Sequence, residues 1–147
     1  MLNKAAIIER CLRRVAEEYG GDPARLNNLT HQDAIVLNLE RACQAAIDLA
    51  MYVVAEVHLG VPQSSAQAFD LLSQAGRIGP ELAKKMRALV GFRNVAVDQY
   101  QQLNLDILRH VIEKGRWDLV EFCTALDLRV DSASFVRPAT NYPNQQE

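Results

Sequence analysis

Residues 30–59, THQDAIVLNLERACQAAIDLAMYVVAEVHL, decide the fold. Ile35, Leu39, Ala42, Cys43, Ala46, Ile47, Ala50, Val53, Val54 and Val57 recur at three- and four-residue intervals, the spacing of a 3.6-residue helix. They cover more than one stripe, and a helix apolar over so much of its circumference must touch several neighbours. This segment is therefore the expected centre of a helical bundle. Thr30 followed by Asp33 reads as an approximate capping box that opens it, and Gly60-Val61-Pro62 closes it near Leu59.

Upstream, Leu2 to Tyr19 keeps Leu2, Ala5, Ala6, Ile8, Cys11, Leu12 and Val15 on one side. Lys4, Arg10, Arg13, Arg14 and Glu17 fall mostly on the other, so a first amphipathic helix is predicted there. Gly20-Gly21-Asp22-Pro23 stops it. Downstream, Ser64 or Ser65 can cap a short helix through Ala75, and Pro80 suits the first position of a fourth helix that turns Leu82, Met86, Leu89, Val90 and Phe92 inward. A last periodic stretch starts near Leu103 or Asn104 and carries Leu105, Ile107, Leu108, Val111, Ile112, Trp117, Leu119, Val120, Phe122, Cys123 and Leu126. Gly115 within it marks a kink or a close approach. No alternating strand pattern or internal repeat is present. The expected architecture is all-α, an up-and-down bundle of four to five helices over residues 1–129. Residues 130–147 are expected to form a mobile tail, because they offer little apolar surface to offset ordering entropy.

Composition agrees with one soluble domain: 147 residues, 49% apolar and 23% charged. A net charge of -2 excludes a protein that wraps nucleic acid by bulk electrostatics, so any such contact is local. Cys11, Cys43 and Cys123 form no C-x-x-C pair, which reads as three reduced, buried thiols rather than a disulfide framework or a metal site. Lys4, Glu9 and Arg10 interrupt any signal-like start and no 18-residue apolar run exists, so the expectation is a cytoplasmic protein without a membrane span.

Chemistry concentrates at the end of the fourth helix. Lys84, Lys85, Arg87 and Arg93 exceed Glu81 and Asp98 by two charges between residues 80 and 100, which fits a solvated face or a phosphate-binding strip. In the run Gly91-Phe92-Arg93-Asn94-Val95-Ala96-Val97-Asp98-Gln99-Tyr100 the polar side chains Arg93, Asn94, Asp98 and Tyr100 punctuate an otherwise apolar helix. Arg93 and Asp98 lie about 140° apart on a regular helix, so pairing them needs a distorted helix end or a second subunit. The plainer reading is a helix C-terminus with Arg93 as a surface charge and Tyr100 as a packing anchor. His31, His58 and His110 show no metal-ligand spacing and read as structural or surface residues, with His110 among the apolar residues of the last helix. No Gly-x-Ser-x-Gly elbow or glycine-rich phosphate loop appears.

Arg93-Asn94-Val95-Ala96-Val97-Asp98-Gln99-Tyr100 resembles the R-x4-H-x-Y signature of HepT-type HEPN toxins. The likeness extends through Asp33, Asn38-Leu39, Arg41, Ile47-Asp48 and the turn Gly60 to Ser65 with Phe69, covering most of residues 1–128. It implies a helical, homodimeric ribonuclease toxin that cleaves RNA without metal or other cofactor and is encoded with a minimal nucleotidyltransferase antitoxin. By position, the resemblance makes Arg93 the phosphate-binding cation and sets Asn94 beside it in the catalytic run. Tyr100 becomes the acceptor of AMP from the antitoxin, with its hydroxyl expected to face solvent. Asp98 stands where the family has histidine. Attack of a ribose 2′-hydroxyl needs a base for its proton and an acid for the leaving 5′-oxygen, and an imidazole with pKa near ~6.5 serves both roles. A carboxyl with pKa near ~3.9 is ionised at neutral pH, donates poorly and adds negative charge beside the phosphate. The expectation is the family fold with impaired cleavage, the mark either of a degenerate natural member or of a tamed chain. The rival is a non-catalytic helical module that binds RNA or nucleotide, or serves as an adaptor.

Overall fold

The computed structural model describes residues 1–132, in which every regular element is helical. α1 spans Leu2–Tyr19, α2 Leu29–Glu56, α3 Ser65–Gln74 and α4 Pro80–Asp98. α5 (Leu105–His110) continues through a π-helical turn, Val111–Gly115, into α6 (Arg116–Ala125). Among the described residues this gives the expected all-α bundle, with the run from Leu105 to Ala125 as its fifth member. The segment 133–147, most of the expected tail, lies outside the described residues. No helix of the described part is long and apolar enough to cross a membrane.

α2 is the central element, packed along α1 and touching α3, α4 and α6. Its stripe Ile35, Leu39, Ala42, Ala46, Leu49 and Ala50 is buried, and Ile8, Leu12 and Val15 of α1 close over one side of it. From the other end of the core, Phe69 of α3 meets Phe122 of α6 edge to face, ring centroids 5.3 Å apart. Met86 on α4 and Leu108, Ile112 and Leu119 on the last run complete the interior. Each of these large side chains contributes about 1.5–3 kcal/mol on burial, enough together to hold helices whose isolated stability is marginal. The three cysteines are buried and unpaired as thiols, and burial pushes Cys43 and Cys123 up to about 12.

Backbone punctuation follows the sequence closely. Gly20 ends α1 at φ 58°, its N–H bonded to the carbonyl of Ala16, a left-handed residue that strains any side chain. Ser64 caps α3 and Pro80 opens α4. The start of α2 differs from expectation. Asn28 is the cap, its side-chain oxygen accepting from the amides of Thr30 and His31 at 2.9 and 3.2 Å, and the helix begins at Leu29. Asp33 therefore caps nothing and is released for another contact. The helix stops at Glu56, three residues earlier than expected, because His58 turns to φ 56° and the Leu59 amide bonds back to Val54.

In the last run Gly115 closes the π-turn, where a Cβ would stand 3.1 Å from both Leu89 of α4 and Val111. The expected close approach is thus real, and the wider turn lets α6 continue at a shifted phase. Not every apolar residue of the periodic stretch is buried: Leu105, Ile107 and Trp117 are exposed, Ile107 to 53%. Leu108, Val111, Ile112, Gly115, Leu119 and Phe122 already fill the inward stripe, and Ile107 lies about 100° from Leu108. His110 also points out of the core.

Candidate active site

α4 carries Arg93 on its inward side, in line with Met86 and Leu89, which is why a charged residue is half-buried there. One guanidinium nitrogen, Nη1, donates to Asn94 Oδ1 at 3.2 Å. Nε is buried without a hydrogen-bond partner. The guanidinium stands near Cys43 of α2, where its charge works against the burial that raises the thiol. A buried donor left unsatisfied costs about 1–3 kcal/mol, so the fold tolerates an energetic cost at this guanidinium. It is more than the surface charge of the plainer reading.

The structure joins Arg93 to Asn94 but not to Asp98. α4 is helical through Asp98, so the two side chains keep their separation around the axis, and no ion pair links them among the described residues. Asp98 is exposed on the flank that also carries Asn94 and Val97. A single subunit therefore presents one cation and one carboxylate that do not converge on a common phosphate.

Tyr100 begins a 3-10 turn, Tyr100–Gln102, directly after α4. Its hydroxyl does not simply face solvent. It donates to Asp33 Oδ1 on α2, with Gln32 Oε1 a second acceptor at 3.3 Å. Burial of the hydroxyl and the neighbouring carboxylate push the phenol up to about 12, so it stays protonated near neutrality. Tyr100 is still 37% exposed and borders an open cleft of about 510 Å³. Tyr100 thus combines the anchoring of the plainer reading with accessibility.

Two further features escape sequence reasoning. Asp33 reaches Tyr100 across 67 positions, a pairing with no local signature. A groove of about 580 Å³ between α1 and α2 is lined by Lys4, Arg10, Arg14 and Arg41 against the single carboxylate Asp48. Arg10 and Arg41 have no hydrogen bond or ion pair among the described residues, whereas Lys4 pairs with Asp48 and Arg14 with Glu17 and Glu18. The only signal in the sequence is that both arginines lie on the flanks of helices whose apolar faces meet. Among the described residues no three His, Cys, Asp or Glu side chains converge as a metal-binding set.

A family model described as ribonuclease HepT-like matches residues 6–126. The chain is 41% identical over 122 residues to the mRNA nuclease HepT of Shewanella oneidensis, covering 83% of this chain and 92% of that protein. Among solved structures it resembles the tri-AMPylated Shewanella oneidensis HEPN toxin in complex with MNT antitoxin, at 40% identity and a TM-score of 0.80 over 85% of this chain and 94% of that one. A toxin–antitoxin structure with AMP-PNP matches at 40% identity and a TM-score of 0.81, over 85% and 95%.

Proposed function

This chain belongs to the HepT-like ribonuclease family, and on that premise we propose that it is the ribonuclease toxin of a toxin–antitoxin pair, restrained by AMP transfer to Tyr100. The observation that carries the reading is Arg93, a half-buried cation with an orphaned Nε at the end of α4, braced by Asn94. A scissile RNA phosphate would be engaged by the outer edge of the guanidinium rather than by its buried Nε. The groove of Lys4, Arg10, Arg14 and Arg41 supplies local positive charge on a chain of net charge -2, which suits a polyanion that is held rather than wrapped.

Cleavage without a metal ion proceeds by attack of the ribose 2′-oxygen on the phosphorus as the bond to the 5′-oxygen breaks. Arg93 neutralises the charge that grows on the phosphoryl oxygens. Position 98 is where the proton is taken up and returned, and Asp98 performs that task poorly. Because Arg93 and Asp98 diverge on α4, the reading requires a two-fold homodimer in which position 98 of one copy stands beside Arg93 of the other. Light scattering at micromolar concentration is expected to give the mass of two chains, and a monomer would remove the composite site.

The partner is a minimal nucleotidyltransferase that moves AMP from ATP to Tyr100. Attached AMP adds a phosphate charge and a bulky adenosine beside the cleft, repelling and blocking RNA without unfolding the bundle. Tyr52 is exposed but lies on the flank of α2, and Tyr19 is buried and bonded to Glu113. Intact-mass and peptide spectrometry after incubation with the partner, ATP and Mg²⁺ is expected to place the adducts on Tyr100. Adducts that persist in Tyr100→Phe would exclude it as the acceptor. Asp98 itself favours a second reading, a non-catalytic RNA-binding module, which predicts no gain in cleavage from Asp98→His.

A further inference from the structure

The hydroxyl of Tyr100 faces a carboxylate contributed by a distant part of the chain. We propose that Asp33 is the toxin's own general base for its modification, taking the Tyr100 proton as the phenol oxygen attacks the nucleotide. The inference rests on the reading of Tyr100 as the AMP acceptor and adds to it a catalytic residue supplied by the toxin rather than by the nucleotidyltransferase.

Three observations converge on Asp33. Its Oδ1 accepts the hydrogen bond from the reacting oxygen, so proton transfer needs no rearrangement. Its carboxylate makes no other hydrogen bond or ion pair among the described residues, because Asn28 and not Asp33 caps α2. Besides Tyr100 it is the one titratable side chain lining the cleft, whose remaining walls are glutamines and leucines. The phenol needs such help, since its pKa, pushed up to about 12, leaves almost no phenolate at neutral pH.

The step balances as a nucleotidyl transfer. Tyr100 Oη forms a bond to the α-phosphorus of ATP held by the partner. The bond from that phosphorus to the α,β-bridging oxygen breaks, and pyrophosphate leaves with the electron pair. The phenolic proton passes to Asp33, which returns it to water. No oxidation state changes. The product oxygen can no longer donate to Asp33, and a phosphodiester charge stands beside the carboxylate, so modification also severs the tie between the 3-10 turn and α2.

The test measures AMP transfer to the full-length chain by intact mass, with saturating purified cognate nucleotidyltransferase, ATP and Mg²⁺. Asp33→Asn keeps the shape and an acceptor oxygen but not the basicity. It is expected to slow transfer by about 10²–10⁴-fold at pH 7. Its residual rate should climb about tenfold per pH unit between 7 and 9 as phenolate forms, while the parent stays flat across that range. Asp33→Glu should recover part of the rate, and Gln32→Ala, which removes the second acceptor together with a hydrogen bond to the Leu26 carbonyl, should leave it within about threefold. Asp33 is exposed, so these changes spare the core. Transfer to Asp33→Asn at the parental rate with a flat profile would overturn the proposal, as would an equal loss in Gln32→Ala, which would reduce Asp33 to holding the ring. The underlying reading fails differently: the parent chain acquires no adduct, or Tyr100→Phe still acquires one, and either result removes the proposal with it.

Discussion

Asp98→His is expected to raise the rate of RNA cleavage by about 10²–10⁴-fold, the span of a well-placed acid–base group. In the proposed mechanism Arg93 supplies the cation, and what the site on α4 lacks is a group that both accepts and donates a proton near neutrality. Asp98 sits exposed at the last residue of the helix, so an imidazole there meets no steric conflict with the core. The substitution also removes a negative charge from the neighbourhood of the phosphate, improving binding and chemistry together. The restored activity should rise and fall around the ordinary imidazole range near ~6.5, and it should persist with metal chelated. A rate equal to that of the parent chain on total RNA would show that position 98 is neither the acid nor the base.

In that activated background, Arg93→Ala is expected to cost about 10²–10³-fold in turnover, the loss seen when one preorganised donor to a transition-state oxyanion is removed. Arg93 is preorganised at a cost already met by the fold: Nε is buried and unsatisfied, and Nη1 is fixed by Asn94. Arg93→Lys should not rescue the loss, because an ammonium lacks the planar fork that engages two phosphoryl oxygens at once. The effect should fall on turnover more than on RNA affinity if, as proposed, the groove of Lys4, Arg10, Arg14 and Arg41 holds the strand, since that groove is untouched. An undiminished turnover in Arg93→Ala would mean that the α4 cation does not touch the scissile phosphate.

The elements that the sequence announced clearly are those ended by residues with one conformational use. Gly20 stops α1 and Pro80 starts α4 at the expected positions. The sequence alone puts the start of α2 at Thr30, two residues late, because Thr30 is itself a good cap; Asn28 takes the role by reaching two amides at once. Helical period alone could not say that Leu105, Ile107 and Trp117 stay outside, since that depends on which neighbours fill the inward stripe first. At the site, Arg93, Asn94, Asp98 and Tyr100 were legible as one contiguous motif. The Asp33–Tyr100 bond and the arginine-lined groove were not, because each arises from helix packing that brings separate segments together. The divergence of Arg93 and Asp98 followed from helix geometry alone, and the structure keeps it.

Growth of a bacterial host gives the most direct test of the chain as the toxin of a nucleotidyltransferase-restrained pair. Production of the Asp98→His chain alone is predicted to arrest growth, and co-production of the cognate nucleotidyltransferase is predicted to restore it, with AMP recovered on Tyr100. Normal growth in cells where the Asp98→His chain accumulates as a folded dimer would contradict the account.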